Sequence, residues 1–125
     1  MFQPTAAIAS LPAQDFDRAK SFYAEKLGLE PVEESDEEAR YRAGDQVFFV
    51  FPSTGKASGD HTQMGFEVDD LEASVKFLGE RGVSFEEYDM PNFKSVGGIV
   101  ELEGEKGAWF KDSEGNLIAL VQRRV

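Results

Sequence analysis

The sequence predicts an α+β fold made of two tandem βαβββ modules. Three observations carry that prediction. An amphipathic helical pattern occurs twice, at residues 15–28 and 70–82, with similar residues at corresponding places. Each copy follows one short apolar strand candidate and precedes three more, so the order strand, helix, strand, strand, strand runs twice. A half with one helix and four short strands is too small to bury a core alone, so the two must pack together.

Residues 5–11 form the first strand candidate. In the helix that follows, Phe16, Ala19, Phe22 and Tyr23 make one apolar stripe, Asp15 is placed as N-cap and Gly28 as the left-handed stop. Strand candidates follow at 30–34, 39–43 and 46–51. Residues 53–60, rich in Ser, Gly and Lys, read as a linker between module one (about 5–52) and module two (about 61–123) of a single domain spanning 1–125. In the second half, residues 62–68 precede a helix whose stripe is Leu71, Ser74, Val75 and Leu78. Asp69 with Glu72 would form its capping box, and Gly82 would end it. Strands are expected at 84–88, at 99–103 continuing after a turn through 107–111, and at 117–122. The segment Tyr88-Asp89-Met90-Pro91-Asn92-Phe93 lacks regular periodicity and reads as a loop over a cavity mouth.

Composition narrows the function classes. At 41% hydrophobic and 30% charged, the chain fits a soluble globular domain. No apolar run approaches the ~20 residues of a membrane span, and no basic region precedes an apolar block near Met1, so neither a membrane nor a secretory signal is expected. Without cysteine there is no disulfide, thiolate ligand or cysteine nucleophile, and a cytoplasmic location is expected. A formal charge of −11 repels phosphate backbones, which excludes nucleic acid as a partner, and attracts cations.

Three stretches carry a family resemblance: Asp15-Phe16-Asp17-Arg18-Ala19 ahead of Phe22-Tyr23 and Leu27-Gly28-Leu29; Phe66-Glu67-Val68-Asp69-Asp70-Leu71; and Phe110-Lys111-Asp112-Ser113-Glu114-Gly115-Asn116. In order and spacing, and with the internal duplication, the chain resembles the vicinal oxygen chelate superfamily, also called the glyoxalase, bleomycin-resistance and extradiol-dioxygenase superfamily. The likeness runs from about residue 7 to 122; Ser113 stands where the family usually has proline. The resemblance implies paired βαβββ modules with curled mixed sheets around a cavity. It also implies a homodimer in which a module from each chain completes that cavity. Enzymes of the family hold a divalent metal with His and Glu side chains, one from the first and last strand of each module. Those four positions fall here on Ile8, Phe49 (or Phe51 with a shift of two), Gln63 and Ala119. Only Gln63 offers a donor, and one amide oxygen does not hold a metal, so no metal and no cofactor are expected.

Strand alternation puts Ile8, Ser10, Phe49, Phe51, Gln63, Glu67 and Ala119 on the cavity face and Leu11, Phe48, Val50, Met64, Phe66, Ile118 and Leu120 under the helices. Trp109, Tyr88, Met90 and Phe93 could stack on a planar ligand or form a buried cluster. A mostly apolar cavity with a few polar points suits an organic molecule, cationic or aromatic. The expectation is a metal-independent small-molecule-binding protein similar to the antibiotic-sequestering members. The alternative is a glyoxalase-like lyase, isomerase or dioxygenase-type enzyme, metal-free or using a non-standard site, with Glu67 or His61 as acid or base. A blander option leaves the cavity vestigial and the dimer surface as the functional part.

Overall fold

The computed structural model describes residues 1–123. Two sheets and two helices make an α+β fold: β1 (Ala9–Ala13), α1 (Phe16–Glu25), β2 (Glu33–Glu34), β3 (Ala39–Ala43) and β4 (Gln46–Pro52), then β5 (Thr62–Glu67), α2 (Leu71–Glu80), β6 (Asp89–Met90), β7 (Phe93–Val96), β8 (Ile99–Leu102), β9 (Glu105–Lys111) and β10 (Leu117–Arg123). The first sheet has the order β1-β4-β3-β2 and the second β5-β10-β9-β8-β7-β6. In both, the strand before the helix lies parallel to the last strand of its half, pairing Ser10 with Phe49 and Gly65 with Ala119. The duplication read from the sequence is therefore a duplication of topology.

Each helix lays its stripe on one sheet face. Ala19 and Tyr23 of α1 and Leu71 and Leu78 of α2 are buried, together with Leu11, Phe48, Val50, Phe110, Ile118 and Leu120 beneath them. A chain of rings joins the halves: Tyr41 stacks on Phe48 at 5.1 Å, and Phe48 meets Phe66 of the second half edge-on at 5.4 Å. Such pairs add roughly 0.5–1.5 kcal/mol each beyond the area they bury.

Several expected boundaries shift, for identifiable reasons. The first strand begins at Ala9 rather than residue 5 and runs through Pro12 to Ala13, because β1 is an edge strand where a missing amide is tolerated. Ile8 thus precedes the strand it was expected to centre. Asp70, not Asp69, caps α2, accepting from the Ala73 amide at 3.0 Å. Residues 84–88 form no strand: Phe85 makes a single bridge to Phe110. The expected loop at Tyr88–Phe93 is instead largely the hairpin β6–β7, turned through Pro91-Asn92 with Asn92 at φ 63°. Proline followed by a left-handed Asn is type II turn chemistry. Residues 99–111, read as one interrupted strand, fold back as the antiparallel pair β8–β9.

Candidate functional site

The sheet faces turned away from the helices collect most of the residues expected to line a cavity, and within one chain they are open. Ile8 is 55% exposed; Ser10, Gln63 and Glu67 are exposed, and Phe49, Phe51 and Trp109 are half-buried. The register places these residues in two groups. Ser10 and Phe49 are neighbours on the first sheet, whereas Gln63, Glu67, Trp109 and Ala119 belong to the second. Glu67 is held by Arg123 at 2.8 Å.

The second sheet presents an aromatic cluster. Tyr88 lies 5.1 Å from Phe93 and 5.7 Å from Trp109, ring centre to ring centre, and Phe93 lies 5.5 Å from Trp109. Met90, expected with them, is 50% exposed on β6 and pairs with Phe93 across the hairpin. Trp109 faces Ala119 across the β9–β10 ladder. Its indole Nε1 donates to Thr62 Oγ1 on β5 at 3.1 Å, and its far ring edge comes within 3.0 Å of where a Cβ on Gly107 would stand. The indole thus spans from β9 across the strand carrying Ala119 to β5. Ala119, its partner in that ladder, is only 3% exposed. Thr62 and Gly107 were not singled out from the sequence. The available signal was a glycine two residues from a tryptophan on one strand face, where the ring needs room.

The family's four metal positions do not fit a metal here. Ile8, Phe49 and Ala119 carry hydrocarbon, and shifting the second position to Phe51 changes nothing; Gln63 is the single donor. Among the described residues no three His, Cys, Asp or Glu side chains converge to hold an ion. His61 sits exposed in the loop before β5, its Nδ1 3.4 Å from Ser58 Oγ.

The turn between β9 and β10 is polar and buried. Asp112 Oδ1 accepts the amides of Glu114 and Asn116 at 2.8 and 3.0 Å, and its Oδ2 accepts from Tyr23 Oη at 2.8 Å and Asn116 Nδ2 at 2.9 Å. Glu114 takes two bonds from Arg18, 2.8 and 3.0 Å, and one from the Asp15 amide at 2.9 Å. Burial raises the Glu114 pKa, but the Arg18 guanidinium, the Asp15 amide and the Ser113 hydroxyl outweigh it and bring it to about 2. Burial, then the neighbouring Asp112 carboxylate, pushes the Tyr23 phenol well above 10.0. Read in the sequence only as a turn and a family motif, this segment clasps the second half to α1 of the first.

On the helix side, a groove of about 590 Å³ runs between the halves. Of the eight residues expected to line a cavity, only Glu67 borders it.

Residues 5–120 match the family model described as Glyoxalase/Bleomycin resistance protein/Dioxygenase superfamily. No curated protein matches the sequence significantly. Among solved structures, similar folds include a bleomycin-binding protein complexed with bleomycin (23% identity, 98% of this chain and 100% of that one, TM-score 0.71). A bleomycin resistance determinant encoded on the transposon Tn5 is similar at 24% identity, over 98% of this chain and 100% of the other, with TM-score 0.70. TnmS3, an antibiotic binding protein from Streptomyces sp. CB03234, is similar at 20% identity over 99% of both chains, with TM-score 0.66. At these identities the likeness concerns the fold.

Proposed function

The chain belongs to the glyoxalase/bleomycin resistance protein/dioxygenase superfamily, and from that premise we propose that it binds a small organic molecule without a metal. One observation carries the reading: the open sheet face bears the Tyr88–Phe93–Trp109 cluster, while the family's metal positions hold Ile8, Phe49 and Ala119. Aromatic faces stack on planar groups and attract cations, and Ser10 and Gln63 add polar points. The net charge of −11 favours a cationic ligand over an anionic one. Two further features support completion of the site by a second copy. Phe49 and Phe51 sit half-exposed on one sheet and Trp109 on the other, and Ile8 projects from the end of β1. A homodimer pairing module one of one chain with module two of its partner would enclose them. The bleomycin-binding and antibiotic-binding likenesses agree with this class without naming the ligand.

Trp109 is the sole tryptophan, so its fluorescence reports on the site directly. A panel of aromatic and cationic antibiotics, titrated against protein treated with EDTA, is expected to yield a saturable change in Trp109 emission. Phe49→Ala should weaken the hit by about tenfold, in line with ~1.4 kcal/mol of stacking and burial. Adding zinc, nickel or manganese should leave the affinity unchanged. A metal-dependent affinity, or a panel with no saturable ligand, refutes the proposal.

A further inference from the structure

We propose a second binding site, on the helix side of the molecule, for a small amphipathic cation. The groove between the halves has a volume of about 590 Å³, inside the roughly 300–1,000 Å³ range of organic-ligand sites. Its floor is the buried pair Phe110 and Leu120 with the half-buried Phe66. One wall comes from the segment after α1, through Leu27 and Leu29; the other is α2, through Ala73, Phe77 and Leu78. Phe77 is 49% exposed, with the Arg81 guanidinium 5.0 Å from its ring centre, and Leu27, Leu29 and Phe66 are also left partly wet.

Charge selects the occupant. Asp69 and Asp70 stand at the N-terminal end of α2; among the described residues no basic side chain lines the groove, and Arg81, over the Phe77 ring, stands at the opposite end of that helix. Glu67 borders the same end but is engaged by Arg123. Asp70 uses Oδ1 to cap α2 and keeps Oδ2, while Asp69 has no ion-pair partner among the described residues. The cap offsets the partial positive charge of the helix N-terminus, so the end remains net acidic. An apolar body of about the groove's width with a positive head satisfies both ends; an anion of the same shape meets repulsion. This site faces away from Trp109 and owes nothing to the ligand proposed for the opposite side.

Tetraphenylphosphonium and tetraphenylborate have nearly the same shape and opposite charge, which makes them the decisive probes. In a ¹⁵N-NMR titration of the full chain, tetraphenylphosphonium is expected to shift the amides of Leu29, Ala73 and Ser74 saturably. Tetraphenylborate should not. Asp69→Asn should weaken the phosphonium by about three- to tenfold, the effect of one nearby half-screened charge. Ala73→Trp, at an exposed helix position, should abolish the groove shifts by filling the space, while Phe49→Ala on the other face leaves them intact. Equal binding of the borate overturns the proposal. So do shifts confined to the Trp109 face that survive Ala73→Trp, or no binding up to about 1 mM, an affinity near −4 kcal/mol.

Discussion

Ala119 shows how one side chain's size can be set by its neighbour rather than by chemistry. The indole of Trp109, opposite Ala119 in the ladder, reaches across to Thr62, and the Ala119 methyl group on the strand between is 3% exposed. Gly107 serves the same ring from the other end, where a Cβ would come within 3.0 Å of it. Ala119→Leu is therefore expected to lift the indole off Thr62. Overpacking of this kind costs about 1–3 kcal/mol, read as a lower urea midpoint, with red-shifted tryptophan emission as the ring becomes wetter. Thr62→Val removes only the hydrogen bond and should cost about 0.5–1.5 kcal/mol with a smaller spectral change. If Ala119→Leu leaves both midpoint and emission unchanged, the ring does not lie over that position.

The elements differ in how openly the sequence declares them. α1 and α2 were legible because apolar stripes, aspartate caps and terminal glycines agree. At the end of α2, Gly82 at φ 92° lets the Val83 amide reach Leu78 O at 3.0 Å and its own amide reach Gly79 O at 3.1 Å, the paired closure that glycine favours. β3 and β5 were legible by alternation, and β4 and β10 as short apolar runs bounded by turns. The hairpins β6–β7 and β8–β9 were not. Phe93-Lys94-Ser95-Val96 alternates weakly, so the Pro91-Asn92 turn reads as part of a loop, and the turn after residue 103 is visible without showing that Glu103-Gly104 reverses the chain. Asn92→Val should test the first turn, because a β-branched residue at φ 63° costs about 1–2 kcal/mol. The loss should be local: faster amide exchange at Ser95, with the amides of α1 unchanged. Asn92→Gly should preserve protection. Of the site, alternation made visible which residues share a face, since that follows from a period of two. It could not reveal that Trp109 would reach Thr62 or that Ile8, Ser10 and Gln63 would stand exposed, because both depend on ring placement and on what lies across the sheet.

At the scale of the whole molecule, the two halves are joined by an apolar seam, by a polar clasp, and by Arg81 Nε, which donates to the Glu25 and Lys26 carbonyls at 3.1 Å. The seam is the Tyr41–Phe48–Phe66 ring chain; the clasp is the Asp112–Asn116 turn, which reaches α1 through Glu114 to Arg18 and Asp15 and through Asp112 to Tyr23. Asn116 Nδ2 adds a bond to Pro12 O at 3.0 Å, so β1 is tied in as well. Side chain to side chain, the Glu114 carboxylate is almost wholly shielded while Arg18 is half-exposed, so the burden of breaking the pair falls on the acid. Its folded pKa of about 2 lies below the ordinary 4.5. A depressed acid stabilises the fold fully above the unfolded value and loses that contribution as pH falls through the folded one. The shift corresponds to about 3 kcal/mol, lost between pH ~4.5 and ~2. At the other limit, the raised Tyr23 phenol favours the folded state up to pH about 10 and then withdraws that contribution as the unfolded chain ionises first. Glu114→Gln should flatten the acid limb, lowering stability at pH 7 by about 1–3 kcal/mol while changing it little at pH 2. Tyr23→Phe should flatten the alkaline limb and leave the acid limb in place. Urea unfolding of the three proteins at pH 2.5, 7 and 10.5 separates the contributions. Parallel pH profiles for wild type and Glu114→Gln would show that the clasp does not hold the halves together.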